Sequence, residues 1–100
     1  MNVKQRLRVI LETSRLNQGE KIVAISILAN DKTSIVDMHN YLGMSFTMLK
    51  KICDNLVEYG YIQIEHKFIR GKRKDIWSLT EKIFQDAEST EKVYYREIND

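Results

Sequence analysis

A chain of 100 residues with 43% hydrophobic and 30% charged side chains has the make-up of one globular domain, neither disordered nor fibrous, and is too short for a second independent core. The longest apolar run, Ile22 to Leu28 interrupted by Ser26, falls far short of the roughly 20 residues a bilayer requires, and the N-terminal stretch lacks the apolar block of a signal peptide. With Cys53 the lone cysteine, neither an intrachain disulfide nor a multi-cysteine zinc site can form, so the expectation is a cytoplasmic protein with no membrane partner.

The net charge of +2 says little, but its distribution says more. Residues 45–74 carry 7 Lys/Arg against 3 Asp/Glu, residues 75–100 carry 3 against 7, and residues 1–16 carry 4 against 1. Two segments can therefore build a positive surface while the C-terminal acids face elsewhere.

Val3, Leu7, Ile10 and Leu11 form the stripe of a first amphipathic helix over residues 3–13. Asn17 and Glu20 match a capping box opening a second helix through Ile22, Val23, Ile25, Ile27 and Leu28, apolar nearly all round and so expected to be buried; Asn30 and Asp31 end it. Thr33 or Ser34 is expected to cap a short third helix with Ile35, Met38 and Leu42 inward, closing at Gly43. Ser45 caps a fourth, whose core face is Leu49, Ile52, Cys53 and Leu56 and which ends at Gly60.

From Tyr61 the period changes to two. Ile62, Ile64, His66 and Phe68 alternate with Gln63, Glu65 and Lys67, which predicts a strand with one buried face. A turn around Gly71 leads to a returning strand from Asp75 to Leu79. Thr80 is expected to cap a last helix with Ile83, Phe84, Ala87, Tyr94 and Ile98 on its apolar side. Gly19, Gly43, Gly60 and Gly71 lie between periodic segments, each expected at a positive φ or a tight turn.

A short helix, a tight turn and a longer helix set the longer one at a steep angle with one face exposed, the geometry that enters the major groove while the preceding helix crosses the backbone. The run Leu42-Gly43-Met44-Ser45-Phe46-Thr47-Met48-Leu49, continued by Leu56-Val57-Glu58-Tyr59-Gly60-Tyr61-Ile62, resembles the turn and recognition helix of winged-helix bacterial regulators. Arg70-Gly71-Lys72-Arg73-Lys74 followed by Ile76-Trp77-Ser78-Leu79-Thr80-Glu81-Lys82 is similar to the wing and final-helix start of MarR-like and PadR-like proteins. The resemblance covers roughly half the chain. It implies a mainly α fold with a small β-hairpin, a winged helix-turn-helix with additional N- and C-terminal helices.

The resemblance further implies a double-stranded DNA-binding protein, most simply a dimeric repressor. It puts Phe46, Thr47, Lys50 and Lys51 on the groove-facing side, since Leu49, Ile52 and Leu56 face the core. Ser45 offers helix N-terminal amides to a phosphate, and Thr33 and Ser34, at the start of the preceding helix, join the expected DNA-binding set. Phe46 departs from the usual polar residue: it can meet a thymine methyl or sugar, turn into the core, or contact a partner protein. Arg70, Lys72, Arg73 and Lys74, four cations in five residues, suit the phosphate backbone or the narrow minor groove. Two-fold pairing is expected through the terminal helices, with Leu7, Leu11, Phe84, Tyr94 and Tyr95 as interface residues.

A small plasmid or phage partition adaptor of the TubR type, tethering centromere repeats to a filament-forming partner, is the alternative role; a winged helix used only for protein contact is another. His39 and His66 stand apart from each other and from Cys53, so no metal-ligand spacing occurs. No phosphate-binding glycine loop, nucleophile elbow or HExxH pattern is present, so neither an enzyme nor a cofactor is expected.

Overall fold

The computed structural model describes residues 1–86. Four helices, α1 (Val3–Glu12), α2 (Gln18–Asn30), α3 (Ile35–Leu42) and α4 (Phe46–Glu58), precede two long strands, β2 (Ile62–Ile69) and β3 (Lys72–Leu79). A two-residue strand, β1 (Thr33–Ser34), separates α2 from α3. A fifth helix, α5, begins at residue 82 and is described to residue 86. Ala87, Tyr94, Tyr95 and Ile98 lie outside the described residues.

Each helix start has a local cause. Asn2 and Gln5 form a capping box on α1, and Asn17 and Glu20 form another on α2, each pair satisfying two amides that the first turn leaves open. The Ser34 hydroxyl accepts from the Asp37 N–H at 3.2 Å, and the Ser45 hydroxyl from the Met48 N–H at 3.2 Å. Gly43, at φ 68°, closes α3 in the left-handed region, where a Cβ is disfavoured. Gly19 differs from the expected turn glycine. It lies in the first turn of α2, where an added Cβ would stand 3.2 Å from Ile52 Cδ1, so its role is the close approach of α2 to α4.

The core gathers Ile10, Val23, Ala24, Ile27, Met38, Leu49, Cys53 and Leu56, all at 0% exposure. Burial of one such Met, Leu or Ile is worth about 1.5–3 kcal/mol. Two expected faces are narrower than the sequence pattern. On α1, Val3 is 67% and Leu11 52% exposed, and on α2 one side stays open at Ile22, where an apolar groove runs past Ile25 and Ala29 to Tyr41 and Leu42.

The sheet has three antiparallel strands in the order β1-β3-β2. Periodicity could not reveal β1, because two residues carry no period. Its pairs, Thr33 with Trp77 and Ser34 with Ile76, cover only the end of β3 that adjoins the helices. Ile62 pairs with Leu79 and Ile64 with Trp77 over the core, but His66 with Asp75 and Phe68 with Arg73 continue that same face into solvent. The expected buried face of β2 therefore ends at Ile64, and Phe68 is 76% exposed.

Thr80 was expected as a helix cap. Its hydroxyl instead donates to the Gly60 carbonyl at 2.6 Å, tying the end of β3 to the end of α4. The first bonds of α5 run from the Phe84 and Gln85 N–H groups to the Glu81 carbonyl. Phe84, expected at a subunit interface, is 3% exposed and belongs to the chain's own core, with the Arg6 guanidinium 4.8 Å from its ring centre. Arg6 also pairs with Glu81 at 2.9 Å, so α1 clasps the start of α5.

Candidate nucleic-acid interface

The α3–α4 corner is built from residues 39–46. Gly43 reverses the chain, and the His39 Nδ1–H donates to the Met44 carbonyl at 2.7 Å. The Phe46 ring stacks on that imidazole, with centroids 4.2 Å apart and planes 19° from parallel. Three elements thus hold the first turn of α4: the glycine, the imidazole bond and the stack. Phe46 keeps 48% of its surface exposed and Met48 53%.

With Leu49, Ile52, Cys53 and Leu56 inward, the 100° step of a helix puts Thr47, Lys51, Asp54 and Glu58 nearest the opposite side, with Lys50 beside them. All five are exposed. The cations fall in the first half of that face and the carboxylates in the second. An anionic ligand is therefore attracted at the N-terminal turns and repelled further along.

Thr33 and Ser34 do not join this surface. Each is 3% exposed; they pair with β3, and the Ser34 hydroxyl is spent on the α3 cap. These two members of the expected DNA-binding set are therefore largely enclosed by the fold. Ser45 is exposed, and its hydroxyl caps α4.

Beyond β1 the β2–β3 ribbon continues as two strands. From the pair Glu65–Ile76 to the pair Ile69–Lys72 it extends roughly 14 Å at about 3.4 Å per residue. Arg70 and Gly71 form its tip, at φ 54° and 75°, the positive pair of a type I′ hairpin turn. Arginine is an unusual occupant of the first of these positions, where asparagine, aspartate or glycine is preferred.

The register divides the ribbon into two unlike faces. Lys67 and Lys74 pair directly across the strands, with Lys72 and Ile69 next toward the tip, on the side away from the core. Among the described residues, Arg70, Lys72 and Lys74 enter no ion pair, and Lys67 has only a 3.9 Å contact with Glu65. The core-side face carries Phe68 and a cluster of His66, Arg73 and Asp75. The His66 Nδ1 and Asp75 Oδ1 are 2.6 Å apart, which requires the imidazole to donate, since a carboxylate only accepts. Arg73 Nε donates to the same oxygen at 3.2 Å. These partners, the His66 hydrogen bond foremost, hold the Asp75 carboxyl below its ordinary value against some desolvation. Arg73, one of the four expected wing cations, is therefore already engaged.

Lys67 and Phe68 are the surface residues that sequence reasoning missed. The alternation pattern contained the signal: Lys67 follows the polar face of β2, and only the assumption of a full-length buried face hid Phe68. Among the described residues no group of three or more His, Cys, Asp or Glu is placed to hold a metal, and no helix is long and apolar enough to cross a membrane.

A helix-turn-helix flanked by a three-stranded sheet with a projecting hairpin is the winged helix-turn-helix fold, mainly α, with an additional N-terminal helix and α5 after the sheet. Solved structures share it. A transcriptional regulator homologue from Pyrococcus horikoshii OT3 superposes with a TM-score of 0.66 at 16% identity, covering 95% of each chain. A mutant MarR from E. coli complexed with operator DNA gives 0.58 at 15% identity, over 96% of this chain and 87% of that one. Stf76 from the Sulfolobus islandicus plasmid-virus pSSVx gives 0.60 at 12% identity, over 72% of this chain and 95% of that one. No protein-family model and no curated protein sequence matches the chain.

Proposed function

We propose that the protein binds double-stranded DNA and acts as a dimeric transcriptional repressor. In this reading α4 enters the major groove through Thr47, Lys50 and Lys51, and the ribbon meets the backbone or minor groove through Arg70, Lys72 and Lys74. The observation that carries it is the coexistence, on one winged helix-turn-helix, of a cationic first half of α4 and an exposed basic ribbon tip outside any ion pair among the described residues. The MarR mutant of similar fold is complexed with operator DNA, which supports this use of the fold. Asp54 and Glu58 favour docking by the N-terminal turns of α4, with its C-terminal end held away from phosphates.

Dimerisation would present two such helices to successive major grooves about 34 Å apart. With Phe84 assigned to the core, Leu11 is the better-placed contact. It lines a shallow groove with Ile22, the half-buried Ile25, Gln18 and Lys21, and the half-buried Leu7 lies one turn before it on α1. Tyr94 and Tyr95 retain their proposed place as further contacts.

Binding of promoter fragments from the source genome and of random duplex, followed by fluorescence anisotropy across a salt series, tests the proposal. The expected result is a preference for one fragment and an affinity falling steeply with salt, as counterion release demands. Equal binding to all duplexes defeats the regulator reading, and salt-independent binding, or none, defeats DNA binding. Light scattering of wild type and Leu11→Glu tests the dimer, with the variant expected to be monomeric.

A further inference from the structure

Phe68 is the most exposed large hydrophobic side chain among the described residues, at 76%. Its exposure has a traceable cause. The residue directly across the ribbon is Arg73, whose long side chain would ordinarily lie over a neighbouring ring. The guanidinium is instead turned toward the base of the ribbon, where Nε donates to Asp75 at 3.2 Å and Nη2 lies 2.9 Å from His66 Nδ1. The cluster leaves the phenyl ring bare two residues before the tip.

The surroundings of the ring select its partner. On the opposite face Lys67, Lys72 and Lys74 form a run of positive charge, and Arg70 occupies the tip. On the face of Phe68 the Arg73 cation is neutralised by Asp75. One side of the ribbon therefore suits a phosphate strand and the other suits an apolar wall. The minor groove of duplex DNA places these two close together, with deoxyribose C–H groups and base edges lying between its phosphate rims.

Resting on the DNA-binding reading above, we propose that Phe68 is an apolar wedge: with the lysine face seated on one backbone, its ring presses into the minor groove against sugars and base edges and bends the duplex. The groove is only about 6 Å wide. A ribbon bearing a phenyl ring on one face enters only if the groove opens, and opening it with an apolar side chain kinks the duplex toward the major groove. The wedge favours deformable pyrimidine–purine steps, so part of the protein's sequence preference comes from DNA stiffness.

The test uses the full chain with Phe68→Ala and Phe68→Leu, which the exposure of the site allows to fold. A short duplex labelled at both ends reports bending by energy transfer, 2-aminopurine at a central TA step reports unstacking, and anisotropy reports affinity. Wild type is expected to shorten the end-to-end distance and brighten the 2-aminopurine. Phe68→Ala is expected to bind about tenfold more weakly, the loss of most of one buried ring, and to leave the duplex straight, with Phe68→Leu retaining most of the bend. Wild-type binding without bending, or equal affinity and bend in Phe68→Ala, overturns the wedge and leaves DNA binding intact. A Phe68→Ala defect confined to self-association or to anionic vesicles overturns it as well. Wild type that binds no duplex overturns the wedge and the DNA-binding reading together.

Discussion

The Phe46 ring lies face to face with the His39 imidazole, 4.2 Å between centroids, and this stacking settles the direction of the least conventional residue in the helix-turn-helix. Phe46 turns back toward α3. The imidazole it covers donates to the Met44 carbonyl, so ring, imidazole and backbone form one small unit that sets where α4 begins. The side of the ring that stays exposed flanks the face bearing Thr47, Lys50 and Lys51. Phe46 is thus first a positioning residue for the helix start.

A double-mutant cycle measures that role. His39→Ala and Phe46→Ala are each expected to lower unfolding stability, and the pair to show a coupling of about 1 kcal/mol in urea titrations, in the range of aromatic pairs. Additive losses would mean that the stacked rings contribute independently.

Arg70 supplies a trade between stability and binding. Its φ of 54° places a Cβ-bearing residue where glycine or asparagine is at ease. Arg70→Gly is expected to raise stability, or leave it unchanged, because relief of about 1 kcal/mol of strain offsets the added freedom of the unfolded chain. Its DNA affinity should fall at the same time. A destabilised variant with unaltered affinity contradicts both halves of this expectation.

The ribbon cations are expected to be unequal. Neutralising Lys72 and Lys74 together should flatten the dependence of log affinity on log salt by about 0.9 for each phosphate they no longer neutralise. Arg73→Ala should change the slope less, because Asp75 already shares that charge. It should also free Asp75 from one of the two groups that depress its carboxyl. Equal slopes for Lys74→Ala and Arg73→Ala would show that the cluster opens on binding.

Cys53 is fully buried on the core face of α4, and burial, with Asp54 adding to it, pushes its thiol up to about 12. The native protein should resist alkylation near neutral pH and react once unfolded. The raised value also has a consequence for stability. Below the ordinary 9.0 both states hold the proton and stability is unaffected, whereas between 9.0 and about 12 only the unfolded chain releases it, so stability declines as pH rises. Cys53→Ala should remove this alkaline component in urea titrations at several pH values.

The elements legible from sequence alone are those with short-range causes. The Asn17–Glu20 box, the Ser45 cap, the Gly43 stop and the inward face of α4 each depend on residues within a few positions of one another, where spacing and hydrogen-bonding chemistry determine the answer. Alternation likewise sorted the side chains of β2 correctly onto two faces. It could not tell where the core beneath one of them ends, because that depends on helices packed from elsewhere in the chain. Tertiary structure decided the rest: β1 on β3, Thr33 and Ser34 inside, Phe84 in the core under Arg6, and Arg73 drawn to Asp75. Each follows from strand register or long-range packing. The sequence therefore determined a basic hairpin after a recognition-type helix, and only the fold decided which of its cations enter no ion pair among the described residues and that a phenylalanine stands exposed beside them.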